Sequence, residues 1–188
     1  MDSKFYSIIE DNPIITAVKD WSGLEKSLNV DSKIVFILFG DILNIGEIVK
    51  KVKDAGKMAF VHIDLIVGLS PKEVSVDYIK NCVQADGIIS TKINIVNRAK
   101  DLSMYTVFRL FIIDSIALSS LENNNYMMKA DLIEILPGVM PRIIKRVSKM
   151  TSKPVIAGGL ISEKADVVEA LEAGAISVST SNENVWFM

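Results

Sequence analysis

The chain has one cysteine, Cys82, and one histidine, His62, among its 188 residues. A lone thiol rules out an internal disulfide and fits a reducing compartment. Within a helical stretch, its expected role is that of a small buried hydrophobe. One histidine, one cysteine and no paired spacing leave no metal signature, although oxygen-only Mg²⁺ binding by Asp64 and Glu134 stays open. There is no excess of positive charge. The net charge of −2 gives no overall attraction to nucleic acid or to an anionic membrane, so any polyanion contact must come from a local patch. No apolar run approaches the roughly 18 residues of a membrane-spanning helix. The start, Met1-Asp2-Ser3-Lys4, has no signal-peptide pattern, so a cytoplasmic location is expected. No linker, low-complexity tract or shift in composition divides the chain, and one domain over residues 1–188 is expected.

Short apolar runs alternate with longer amphipathic ones, the pattern of repeated βα units around a buried parallel sheet. Eight strands are read at Ile14–Val18, Ile34–Phe39, Met58–Ile63, Gly87–Ile89, Tyr105–Phe111, Leu132–Leu136, Val155–Ala157 and Ile176–Ser179. Helices are read at Trp21–Leu28, Leu43–Ala55, Pro71–Cys82, Ile93–Asp101, Ser115–Met128, Pro141–Met150 and Glu163–Ala173. Ser70-Pro71 looks like a helix start, and Gly56 and Gly174 look like left-handed C-caps. Eight strands with right-handed crossovers close into an α/β fold of the TIM-type (β/α)8 barrel class. Few residues follow Ser181, so the last helix is truncated. Trp186 and Phe187, or a second subunit in a homodimer, would cover the seam it leaves.

In such a barrel the functional groups lie at the C-terminal ends of the strands. Ala157-Gly158-Gly159-Leu160 and Ser179-Thr180-Ser181, about twenty residues apart and each after an apolar run, look like two halves of a phosphate cup. Glycines let backbone N–H groups approach an anion, and Ser and Thr add hydroxyl donors. His62 and Asp64 are expected on one face of strand three, by alternation. Ser90, Thr91 and Lys92 follow strand four, Asp41 follows strand two and Asp114 follows strand five. Arg109, set among Phe108, Leu110 and Phe111, requires an anionic partner once buried, and Glu134 is the obvious one. That pair serves either a ligand or the barrel itself. Arg142, Lys145, Arg146 and Lys149 recur at i, i+3, i+4 and i+7, either as a solvated outer face or as a grip on RNA phosphates. Lys50, Lys53 and Lys57 form a second, weaker stripe.

Five segments, taken in order, resemble the bacterial glycerol uptake operon antiterminator regulatory proteins, which respond to glycerol 3-phosphate. They are His62-Ile63-Asp64-Leu65-Ile66-Val67-Gly68-Leu69, Asp86-Gly87-Ile88-Ile89-Ser90-Thr91-Lys92, Arg109-Leu110-Phe111-Ile112-Ile113-Asp114-Ser115, Asp131 through Pro141, and the two cup segments. The resemblance implies a barrel that binds glycerol 3-phosphate as effector and then contacts an mRNA leader to prevent early termination in glycerol-utilisation genes. It implies a phosphate held by Gly158, Gly159, Thr180 and Ser181, in a pocket lined by His62, Asp64, Lys92, Arg109 and Glu134. No catalytic residue and no cofactor follow from it. The alternative is a small barrel enzyme acting on a phosphorylated substrate, with Lys92 or Asp64 as base or nucleophile and Glu134 as acid. A third reading is a ligand sensor that signals through a protein partner.

Overall fold

The computed structural model describes residues 3–123 and 129–188. Helix α1 (Ser3–Asp11) precedes a regular alternation of β1 (Ile14–Val18), α2 (Trp21–Ser27), β2 (Ile34–Ile37), α3 (Ile45–Asp54), β3 (Met58–His62) and α4 (Glu73–Tyr78). The alternation continues through β4 (Gly87–Ser90), α5 (Ile93–Asp101), β5 (Tyr105–Phe111), α6 (Ser115–Asn123), β6 (Leu132–Leu136) and α7 (Pro141–Met150). It ends with β7 (Val155–Gly158), α8 (Lys164–Glu172), β8 (Ser177–Thr180) and the four-residue α9 (Glu183–Trp186). Each strand lies parallel to its successor, and β8 pairs with β1 to close the barrel. Closure removes sheet edges, and the outer helices bury the second face of each strand, which is why the strands read as unbroken apolar runs.

Inward-facing Ile15, Ala17, Ile34, Phe36, Phe60, Ile89, Val107, Leu132 and Ile156 fill the barrel, joined from below by Phe5 and Ile9 of α1. The Phe5 ring stacks on Tyr105 at 4.1 Å and on Phe60 at 5.9 Å between centroids. Helix α1 is thus the floor of the barrel. The sequence pattern gives no helix there, because a short stretch with a few apolar residues gains its helical stability from what it covers. The outward faces of the strands pack on α2–α5 in one cluster and on α6–α8 in another.

Several local expectations change. Helix α4 begins at Glu73, not at Pro71, and the Ser70 carbonyl accepts from the Ser75 hydroxyl (2.6 Å) instead of Ser70 capping the helix with its side chain. Its last turn widens into a π-helical turn at Ile79–Val83, closed by Gln84 at φ 61°. Ile79 and Val83 face inward while Cys82 is exposed, so the thiol is not the buried hydrophobe expected. Gly56 (φ +72°) and Gly174 (φ +104°) do follow their helices in the left-handed region. Lys57 is no part of a basic stripe: it is buried and its ammonium donates to the carbonyls of Val30 and Ser32, while Lys50 pairs with Asp54. The expected helix to Met128 is described as far as Asn123, and residues 124–128 lie outside the described residues.

The short α9 leaves less of a seam than its length implies. Trp186 is buried, and its indole N–H donates to the Thr180 carbonyl at 2.8 Å. Phe187 stays largely exposed, so one of the two aromatic residues fills the gap. Among the described residues no helix is long and apolar enough to cross a membrane.

Candidate functional site

A cavity of about 660 Å³ opens at the C-terminal ends of β1, β2 and β5–β8. Its deepest polar feature is an arch across three strands. Arg109 on β5 and Glu134 on β6 are register partners, and the Arg109 Nε–H donates to Glu134 Oε2 at 2.6 Å. The other carboxylate oxygen, Oε1, accepts from the Ser179 hydroxyl of β8 at 2.5 Å. Strand β7 lies between β6 and β8, and the carboxylate crosses it at Gly158. A Cβ at that position would sit 2.5 Å from Glu134 Oε1 and 2.7 Å from Ser179 Oγ, so only glycine leaves room for the arch. Gly158 therefore serves the carboxylate, a different task from the open approach to phosphate expected of it. Arg109 is 6% exposed and Glu134 0%; both Arg109 Nη groups have no protein partner among the described residues. The carboxylate thus holds the guanidinium in one orientation and leaves its fork free at the cavity wall.

Above the arch the two cup segments are joined by Thr180. Its hydroxyl donates to the Ile161 carbonyl (2.7 Å) and accepts from the Asn182 N–H (3.0 Å), so it ties the β7 loop to the β8 loop instead of projecting a free donor. Gly159 and Leu160 both have positive φ (+76° and +64°), which costs energy at Leu160, and both line the cavity. The Leu160 and Ile161 N–H groups have no partner among the described residues, and the half-buried Ser181 hydroxyl also remains free. The helix starts contribute less than their position after the strands implies. Asp166 accepts from the N–H groups of Ser162 (2.8 Å) and Glu163 (3.1 Å) at the start of α8, and these bonds hold its pKa below the usual carboxylate value. Asn182 caps α9 through the Asn184 N–H.

The remaining expected residues lie on the β3–β4 side. Strand β3 ends at His62 and a single 3₁₀ turn, Ile63–Leu65, follows, yet the two side chains still approach one another, with His62 Nδ1 4.0 Å from Asp64 Oδ2. The hydrogen bonds of Asp64 come from the β4 loop: it accepts from Thr91 N–H (2.7 Å), Thr91 Oγ1 (2.9 Å) and Ser90 Oγ (3.0 Å), with Lys92 Nζ 3.9 Å away. Burial raises its pKa, but the Thr91 and Ser90 bonds and nearby His62 more than offset that, and the group ends below the ordinary carboxylate value. Lys92 stands exposed over this cluster and outside the cavity lining. Asp41 and Asp114 are likewise held by their own loops, accepting from the N–H groups of Leu43 and Ala117 respectively. Of the nine residues expected to hold a ligand, Arg109, Glu134, Gly159, Thr180 and Ser181 line one cavity; Gly158 lies beneath its floor, and His62, Asp64 and Lys92 are set apart. Lys19, just after β1, and Ser162 and Asn182 also line the cavity, and the sequence pattern does not single them out. An exposed lysine beside an acidic residue carries no sequence signal of its own. Among the described residues no group of three metal-ligating side chains converges.

His62 is 3% exposed, and its Nδ1, 4.0 Å from Asp64 Oδ2, has no hydrogen-bond partner among the described residues. Burial first, then the Arg109 charge, lowers its pKa from 6.5 to about 4, against a smaller opposing pull from Asp64. The folded ring is therefore neutral where the unfolded one takes up a proton. Stability falls as pH drops from 6.5 towards 4, by about 2–3 kcal/mol at pH 4.5. Asp64 adds nothing in that window, because its contribution is lost only below its unfolded pKa near 3.8. Urea midpoints at pH 7 and 4.5 should converge in His62→Gln; an unchanged gap would place the acid sensitivity elsewhere.

Residues 14–186 match the protein family described as glycerol-3-phosphate responsive antiterminator. The uncharacterized protein YgcP of Escherichia coli (strain K12) is 40% identical over 179 residues, 95% of this chain and 94% of that one. The crystal structure of a glycerol uptake operon antiterminator regulatory protein from Listeria monocytogenes superposes with TM-score 0.88 at 34% identity, covering 94% of this chain and 95% of that one. That of a glycerol uptake operon antiterminator-related protein from Thermotoga maritima superposes with TM-score 0.82 at 32% identity, covering 93% and 98%.

Proposed function

Because the chain belongs to the glycerol-3-phosphate responsive antiterminator family, we propose that it binds glycerol 3-phosphate at the β6–β8 mouth and, in that form, contacts an mRNA leader in the cytoplasm to prevent early transcription termination. The cavity supports this reading. A guanidinium fork fixed by a buried carboxylate stands below a concavity with unpartnered N–H groups and a free hydroxyl, a donor-rich arrangement suited to a small phosphate ester. The family is one of regulators, and the acids that a barrel enzyme would use agree with that. Glu134 is held from both sides by Arg109 and Ser179, and Asp64 by the β4 loop, so neither is placed to move a proton of a bound substrate.

Titration calorimetry with glycerol 3-phosphate, glycerol and inorganic phosphate tests the effector. The expected order is glycerol 3-phosphate first; no heat with any of the three would sink the reading.

For RNA, the supporting feature is α7, where Arg142, Lys145, Arg146 and Lys149 are all exposed and the helix carries no acidic residue. Coupling between ligand and RNA would then be linkage, with each favouring the same arrangement of the mouth loops. Replacing Arg142 and Arg146 together by alanine should lower leader-RNA affinity and flatten its dependence on log salt by about 2, without altering effector affinity. Gel-shift titrations at several salt concentrations read both quantities. An unchanged slope would remove this helix from the interface.

A further inference from the structure

We infer that Lys19, the first residue after β1, recognises the ligand's negative charge and makes the site selective for a phosphate monoester dianion. This rests on the cavity being the effector site.

Placement comes first. Strand β1 runs beside β8, with Ile15 opposite Ser179 and Thr16 opposite Thr180. Strand β1 ends at Val18, and Lys19, the next residue, lines the cavity together with Ala17. With Ser181 and Asn182 of the β8 loop, Lys19 borders both the main cavity and an adjoining groove of about 360 Å³.

Charge decides the role. The charged side chains lining the main cavity are Lys19, Arg109 and Glu134. Arg109 and Glu134 neutralise each other through their buried pair. Lys19 has no acidic partner among the described residues. The two acids of the adjoining groove are otherwise engaged: Asp20 Oδ1 caps α2 by accepting from Gly23 N–H at 2.8 Å, and Glu183 pairs with Lys26 at 2.7 Å. The N–H groups of Leu160 and Ile161 and the Ser181 hydroxyl supply direction without net charge. The cavity's uncompensated positive charge therefore resides on Lys19. A dianion gains from it, and an uncharged polyol does not.

Lys19 is exposed and unpaired, so replacing it should leave the fold intact. Lys19→Gln is expected to weaken glycerol 3-phosphate binding about 10-fold or more, the scale of one charge-assisted hydrogen bond. It should also flatten the salt dependence of binding without moving the melting temperature, and Lys19→Arg should restore most of the affinity. Calorimetry on wild type and both variants with glycerol 3-phosphate and with inorganic phosphate reads all of this. Equal affinity in wild type and Lys19→Gln would overturn the assignment. Lys19-dependent binding of inorganic phosphate without binding of glycerol 3-phosphate would overturn the selectivity for a monoester and remove the proposed effector, leaving Lys19 as a contact to phosphate charge alone. Binding of neither by the wild type would remove both.

Discussion

Glu134→Ala is expected to lower the unfolding free energy by about 3–5 kcal/mol and to abolish effector binding. The substitution strands the Arg109 guanidinium, 6% exposed, with no counter-charge, and it leaves the Ser179 hydroxyl without its acceptor. The cost is that of a buried charge left unpaired, not the net worth of the ion pair. For that reason the double replacement Arg109→Met with Glu134→Leu should recover most of the stability, since apolar residues of similar volume often match a buried pair. It should not recover ligand binding. Urea unfolding together with calorimetry separates the two: if the double variant binds like wild type, the guanidinium fork has no part in recognition.

The second large effect is expected at Gly158. An added methyl at 2.5 Å from Glu134 Oε1 and 2.7 Å from Ser179 Oγ cannot be accommodated without moving the carboxylate. Gly158→Ala should therefore cost about 1–3 kcal/mol, the usual range for overpacking, and should weaken effector binding by disturbing Arg109. The decisive measurement is the same change made in the Glu134→Ala background, where the Glu134 atoms are gone and the Ser179 hydroxyl, released from its acceptor, is free to rotate away. There it should cost far less. Equal costs in the two backgrounds would mean that the arch does not fix the residue at 158.

These two predictions concern residues that the sequence marks unequally. Arg109 and Glu134 stand out because each is a charged residue inside an apolar strand, and a buried arginine needs an anion; their pairing is legible in the sequence alone. Gly158 is legible as a glycine that matters, but for another reason. Its true neighbour is a carboxylate from the strand before, reaching a hydroxyl on the strand after, and nothing in the local spacing of Ala157-Gly158-Gly159 expresses that. Thr180 shows the same limit, because its hydroxyl type is readable while its engagement with Ile161 and Asn182 is not. His62 and Asp64 do lie together, as their spacing suggests, but the bonds that hold Asp64 come from Ser90 and Thr91 after β4, and no pattern within β3 expresses that.

The order and approximate bounds of the strands, the outer helices and the end of the barrel that carries the loops were determined by the sequence itself. Each depends on a period or a cap set by backbone geometry over a few residues. The floor made by α1, the arch from β5 to β8 over β7, and Lys19 meeting the β8 loop were decided only by the tertiary structure. They arise when the last strand pairs with the first, and that closure sets which side chains face one another across distances in the chain that no local pattern spans.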